Sequence, residues 1–269
     1  MREYLIDLYL KEWKKLRKQP HGNTNLKTTL MTKPLLSILL LLLSLTAFSQ
    51  KEFVFNKEGI EYAKHGRYQI AFESFNNAIK ANPNFSNAYS NRGNIYRMQK
   101  KYDLAIKDYS KSIELNPQNM DVVYSRAKTY LEKKDFGNAI KDYSLIIDQN
   151  PSFKDIYFER AYANIRLENY SAAKIDLESQ LALTPSDFKS LANLINIKTK
   201  LKLFDEALLD YDKIILEFPN QPNLHILYSN RANLYKDMDQ LPKALENINT
   251  ALTLNKDYDI GFLNRAEIN

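Results

Sequence analysis

The sequence has no cysteine, which removes disulfides, thiol nucleophiles and thiolate metal ligands. Glycine is scarce too. The six glycines among 269 residues, Gly22, Gly59, Gly66, Gly93, Gly137 and Gly261, stand seven or more positions apart. Phosphate-cradling loops need glycines in close succession so that backbone can wrap an anion, and no such loop is present. The three histidines, His21, His65 and His225, are scattered, and no HExxH pair, nucleophile elbow or paired-carboxylate motif stands out. These absences predict a chain with no catalysis, no metal and no cofactor. His65 falls in a turn and His225 just before a helix, so both are expected to be solvated.

Charge of one sign is missing from most of the chain. The formal net charge is +6, but residues 1–50 hold eight Lys/Arg against three acids, a net +5, which leaves +1 for residues 51–269. An electrostatic footprint for a phosphate backbone is therefore absent there, and nucleic acid is not an expected partner.

Residues 1–50 read as a leader. Leu35 to Leu45, LLSILLLLLSL, is apolar apart from two serines; Lys33 precedes it, and Ala47 and Ser49 follow two apart. A basic start, a short apolar middle and small residues at the exit make a signal peptide over 31–49, cut between Ser49 and Gln50. Even extended to Phe48 the run has fourteen residues, whereas about 20 are needed to span a bilayer. The expectation is an exported protein, periplasmic or secreted, with no stable membrane span after cleavage; an uncleaved anchor is the lesser alternative. Met31 opens the signal, so 1–30 is either an upstream extension or a long basic start. Met1 to Arg17 shows helical apolar spacing (Leu5, Leu8, Trp13, Leu16), and Trp13, the only tryptophan, is given no role.

Beyond the leader the chain repeats itself. Alanine and proline recur together at Ala71 and Pro83, Ala105 and Pro117, Ala139 and Pro151, Ala173 and Pro185, Ala207 and Pro219, each step being 34 residues. Upstream lies a second group: Phe55, Gly59, Tyr62; Tyr89, Gly93, Tyr96; Val123, Ala127, Tyr130; Tyr228, Ala232, Tyr235. Offsets of four and three put three residues on one helical face, so each period is two amphipathic helices. The small residue in each stripe lets two helix axes approach, and neighbouring aromatics fill the remaining space. Asn-Pro at 82–83, 116–117 and 150–151 ends the second helix, because a residue before proline avoids the helical region.

The pattern resembles the tetratricopeptide repeat family, whose 34-residue helix-turn-helix carries the W-x2-L-G-x2-Y, A-x3-F and P columns. It covers six units: 52–85, 86–119, 120–153, 154–187, 188–221 and 225–258. Residues 259–269 begin a seventh unit or form a capping helix. The fifth unit departs most, with Leu191, Ile195 and Lys198 in the first-helix columns, and is expected to pack least regularly. The insertion Pro222 to Leu224 is expected to perturb the turn between units five and six. The resemblance implies an all-α, right-handed α-solenoid whose first helices line a concave face and whose work is protein binding. Ile260, Phe262, Leu263 and Ile268 give thin apolar cover at the C-terminal end, where fraying or self-association is expected.

Two polar features run in phase with the repeat. Arg92, Arg126, Arg160, Arg231 and Arg265 precede the small first-helix residue, while Asp108, Asp142, Asp176 and Asp210 precede the second-helix stripe residue. Opposite charges recurring in packed helices form a structural ladder. Spacing admits pairing within units (Arg126 with Asp142) and between units (Asp108 with Arg126) equally. The second feature is asparagine at spacing three in first helices: Asn91 with Asn94, Asn193 with Asn196, Asn230 with Asn233. Asparagine costs roughly 0.6 kcal/mol against alanine in a helix, and its amide both donates and accepts, matching an extended peptide backbone. Between these units Tyr124, Lys128, Phe158 and Tyr162 occupy the corresponding sites, a candidate pocket for an apolar anchor.

The basic clamp by which the family grips acidic chaperone tails is not reproduced, since its sites carry Asn56, Ile60, Asn91, Asp121 and Ser125. The expected function is an exported scaffold that binds a protein or peptide on its concave face. The alternative is a regulatory or substrate-selecting repeat region of a larger enzyme truncated at Asn269.

Overall fold

The computed structural model describes Lys11 and residues 51–268, so the signal peptide and the rest of the leader lie outside the described residues. The chain divides into two compact units, Met1–Pro83 and Asn84–Asn269. In the first, α1 (Lys51–Lys64) packs on α2 (Tyr68–Ala81). Gly59 is required here: a Cβ on it would stand 2.5 Å from the ring of Phe75, which is itself buried with Ala71 and Ala78.

The second unit contains α3 (Ser86–Met98), α4 (Tyr102–Leu115), α5 (Met120–Glu132), α6 (Phe136–Gln149), α7 (Ile156–Arg166), α8 (Tyr170–Leu183), α9 (Phe188–Lys200), α10 (Phe204–Glu217), α11 (Leu224–Asp237), α12 (Leu241–Leu254) and α13 (Asp259–Ile268). Every helix packs on the next in sequence, and no strand occurs among the described residues. The repeat columns form the core. Ala105 and Tyr109, then Ala127, Ala139, Tyr143 and Ile146, then Ala161, Ala173 and Leu177, are fully buried. Each large side chain so buried contributes about 1.5–3 kcal/mol from the area removed from water.

Two kinds of backbone punctuation recur with the period. Asn116 and Asn150, each before a proline, leave the helical region at the ends of α4 and α6, with φ of −144° and −148°. At the other turn the first helix ends with a left-handed residue: Lys100, Lys134, Glu168, Lys202 and Asp239 have φ of 58–66°, and Gly66 in the first unit has 73°. The following N–H reaches back to close a six-residue loop, as in Lys101 N–H to Tyr96 O (2.9 Å) and Asp135 N–H to Tyr130 O (2.8 Å). A side chain held in this region costs about 1–2 kcal/mol, and most helices ending this way use glycine.

The fifth helix pair, as expected, has the sparsest contact between its two helices of the six, yet its core is closed. Leu191 and Ile195 are each 1% exposed and join Ala207, Tyr211, Ile214, Leu227 and Leu234 in one cluster. Lys198, in the column where other units carry tyrosine, is buried and reaches Asp210 at 2.6 Å. The insertion after Pro219 shows its effect one step later. Contact between α10 and α11 is sparser than between other consecutive helices, and the turn is held by Gln221 N–H to Phe218 O and Leu224 N–H to Gln221 O.

The charge ladder is resolved within units. Arg92, Arg126 and Arg160 each make a two-pronged contact with the aspartate sixteen residues on; for Arg126 the distances to Asp142 are 2.8 and 2.7 Å. The between-unit pairing of Asp108 with Arg126 is not formed. Instead the remaining nitrogens of Arg126 and Arg160 cross to the preceding unit: Arg126 Nη1 to Ser110 Oγ and Arg160 Nη1 to Ser144 Oγ, both 2.9 Å. Arg231 follows the same geometry with other partners, Asn247 at 2.7 Å in its own unit and Asp212 at 2.5 Å in the one before. Asp210 pairs with Lys198 of its own unit rather than with Arg231.

Candidate functional site

First helices of successive pairs stand side by side in the second unit and exchange polar contacts. Arg97 on α3 approaches Glu132 on α5 at 3.8 Å, and Lys236 on α11 meets Glu267 on α13 at 2.8 Å. Asn264 on α13 donates to Ser229 Oγ at 2.9 Å. These links join α3 to α5 and α11 to α13, and the expected site residues lie on the wall made by the first helices α3, α5, α7, α9 and α11.

The densest part of the wall is at α5 and α7. Lys128 Nζ (2.8 Å) and the Tyr124 hydroxyl (3.1 Å) both donate to Oε1 of Glu159 on the next first helix. Glu159 stands in the register of Asn91 and Asn193, and its interruption of that asparagine column was the signal that sequence reasoning passed over. Lys154 caps the cluster from the inter-unit turn, 4.7 Å from the Tyr124 ring centroid and 2.9 Å from Asp121 Oδ1. Burial raises the Tyr124 phenol above its usual range, and the neighbouring Glu159 charge raises it further, so Tyr124 stays a donor. Below it Tyr143 is wholly buried with its ring 6.1 Å from that of Tyr124, and its hydroxyl has no partner among the described residues.

The aromatic candidates divide. Tyr124 packs against Phe153 and Tyr143, and Phe158 packs into the cluster of Ala161, Leu177, Leu194 and Ile197, so both work chiefly in the joint between units. Tyr162, 45% exposed, is the one of the three that presents a broad ring surface to solvent.

The asparagine pairs are not equivalent. Asn94 accepts the Tyr109 hydroxyl at 2.7 Å, which takes its carbonyl but leaves the residue exposed. Burial pushes the Tyr109 phenol up to about 12. Asn193 donates to its own helix at Lys189 O (2.8 Å), and Asn233 has its Oδ1 buried without a partner. Asn196 and Asn230 are exposed and make no hydrogen bond to the described residues, whereas Asn91 is half-buried. The wall therefore offers open amides at Asn196 and Asn230, and at Asn94 the exposed amino group of an amide whose oxygen is engaged.

His65 is exposed, its Nδ1 2.9 Å from Glu61 O. His225 is not fully solvated: it is half-buried, edge-on to the Tyr258 ring at 4.9 Å, with Asn255 Nδ2 3.3 Å from its Nε2. Among the described residues no cluster of three or more metal-ligating side chains occurs, and no helix is long and apolar enough to cross a membrane.

Two stretches, residues 86–119 and 121–153, each match the tetratricopeptide repeat family. The chain carries tetratricopeptide repeats. Solved tetratricopeptide structures share its fold. YrrB, described as a TPR protein with an unusual peptide-binding site, aligns over 72% of this chain and 99% of its own at 19% identity, with a TM-score of 0.61. MamA from Desulfovibrio magneticus RS-1 aligns over 64% and 97% at 14% identity, with a TM-score of 0.57. PilF of Pseudomonas aeruginosa aligns over 82% and 97% at 15% identity, with a TM-score of 0.55. No curated protein matches in sequence. A tetratricopeptide repeat stack of this kind is a protein-interaction scaffold, a class of protein that is generally non-enzymatic.

Proposed function

We propose that this tetratricopeptide repeat protein is exported and binds an extended segment of a partner protein along the wall formed by its first helices, without catalysis of its own. The observation that carries the reading is the cluster at α5 and α7. Tyr124 and Lys128 are held on one oxygen of Glu159 before any ligand arrives, so ordering them adds little to the cost of binding. Beside it Tyr162 offers a flat apolar surface, Asn196 and Asn230 offer amides that match a peptide backbone, and Asn94 offers an amino group. The peptide-binding site of YrrB, a neighbour in fold, supports the same use. The near-neutral charge of residues 51–269 favours protein over nucleic acid. The signal-like segment 31–49 supports export, and the exposed Ile260, Phe262 and Leu263 of α13 support self-association there.

The test is selection of extended peptides from a random display library on the Gln50 to Asn269 form, followed by binding of the enriched peptides to Tyr162→Ala and to Asn196→Ala/Asn230→Ala. These side chains are exposed, so the fold should persist. Affinity is expected to fall about tenfold in each; unchanged affinity in both overturns the groove. Amino-terminal sequencing of the protein from a cell envelope fraction should read from Gln50, and a product starting at Met1 or Met31 in the cytosol overturns export.

A further inference from the structure

We propose that the outward face of α8 and α10 is a second docking surface, built for a cationic amphipathic helix of a partner protein. The repeat provides its own comparison. Two residues after the buried second-helix alanine the other units carry Glu73, Lys107, Lys141 and Glu246, whereas α8 and α10 carry Ile175 and Leu209. Seven residues further on, Lys80, Glu114, Asp148 and Thr253 are replaced by Ala182 and Leu216. Ile175, Leu209 and Leu216 are 62%, 70% and 81% exposed, so none contributes appreciably to the core. Their cost in solubility is therefore not offset inside the fold, and such a patch marks a contact surface.

The spacing and the charge select the occupant. Leu209 and Leu216 stand seven apart on one helix, the interval of a seam against which another helix lies. Helix α10 holds five acids, Asp205, Glu206, Asp210, Asp212 and Glu217, against the single Lys213. Some of these are committed: Asp210 to Lys198 and Asp212 to Arg231. Glu206 also approaches Lys198, at 3.5 Å, and Glu217 the exposed Lys213, at 4.0 Å, but both remain exposed around the leucines together with Asp205. A second copy of this face would bring acid against acid, and an anionic bilayer would be repelled in the same way, whereas a helix with lysine or arginine flanking a leucine stripe satisfies both features.

The experiment uses a fluorescent amphipathic peptide of leucine and lysine, with a leucine–glutamate peptide of the same pattern as control. The protein is compared with Leu209→Ser/Leu216→Ser and with Tyr162→Ala, circular dichroism checking that each stays folded. Saturable binding of the lysine peptide is expected, weakening with added salt, about tenfold weaker in the double leucine variant and unchanged in Tyr162→Ala. Equal binding by the leucine variant, loss in Tyr162→Ala, or equal binding of the glutamate peptide overturns the proposal. So does sedimentation showing a dimer, or pelleting with phosphatidylglycerol vesicles, that disappears when the leucines are replaced.

Discussion

Replacing Arg126 by alanine removes three hydrogen bonds at once: two to Asp142 within the unit and one to Ser110 of the preceding unit. The pair is largely shielded, with side-chain exposures of 19% for Arg126 and 8% for Asp142. Deleting the cation leaves the carboxylate buried without its counter-charge, a loss of about 3–5 kcal/mol when one partner of a buried pair is removed. The pair as a whole contributes much less than that. Arg126→Met/Asp142→Leu, which removes both charges and keeps volume, is expected to cost about 1 kcal/mol or less. Urea titration followed by circular dichroism gives the comparison, at a matched slope so that the shift in midpoint reports stability. In a double-mutant cycle of Arg126→Ala and Asp142→Ala the losses should be strongly sub-additive. A loss below about 1 kcal/mol for Arg126→Ala, the range of solvent-exposed pairs, or a cycle that adds, would refute the argument. Arg231→Ala supplies the contrast. Its partners are a neutral amide and an aspartate with 66% side-chain exposure, so about 1–2 kcal/mol is expected.

Four further outcomes are expected. Gly59→Ala puts a methyl 2.5 Å from the Phe75 ring and should cost about 1–3 kcal/mol by overpacking, read as a lower denaturation midpoint. Lys134→Gly relieves a side chain held at φ 66° and should raise stability by up to about 1 kcal/mol; a lower midpoint would count against the strain. The Tyr109 phenol is raised from 10.0 to about 12 in the folded state, so the fold holds its proton more tightly than the unfolded chain does. Its contribution is therefore complete below pH 10 and is lost as pH rises through about 12. Tyr109→Phe should lessen the fall in stability over that alkaline range, checked by pH titration of the melting temperature. Tyr143→Phe, which removes a buried hydroxyl without an acceptor, should be neutral or stabilising by about 1 kcal/mol.

The helix pairs were legible because side-chain volume repeats with the chain: a glycine or alanine opposite an aromatic states where two helices touch. What spacing could not state was choice among equal distances. Arg126 lies sixteen residues from Asp142 and eighteen from Asp108, and helix geometry rather than separation in sequence selects the first. The left-handed lysines were hidden because lysine carries no signal for that conformation, and the turn imposes it through the loop closed by Asp135 and Tyr130. Lys198 looked like a flaw in the tyrosine column until its reach to Asp210 showed a long cation doing the work of an arginine one turn away. The asparagines read as one repeated device, yet Asn193 is turned on its own backbone and Asn233 inward, because rotamer and neighbour differ from unit to unit.

Arginines that reach backward, Arg126, Arg160 and Arg231, make their junctions a plug and socket, and the fifth unit lacks the plug. Leu194 stands in that register and is buried with Leu177 and Ile197, while the site it would have met, Glu178, turns to Lys174 at 3.1 Å. Excising residues 188–221 would therefore bring Arg231 opposite an acidic socket on α8, where it would compete with Lys174 for Glu178. The array is expected to heal over that deletion more readily than over the loss of unit three, and its modules are exchangeable in some orders and not in others.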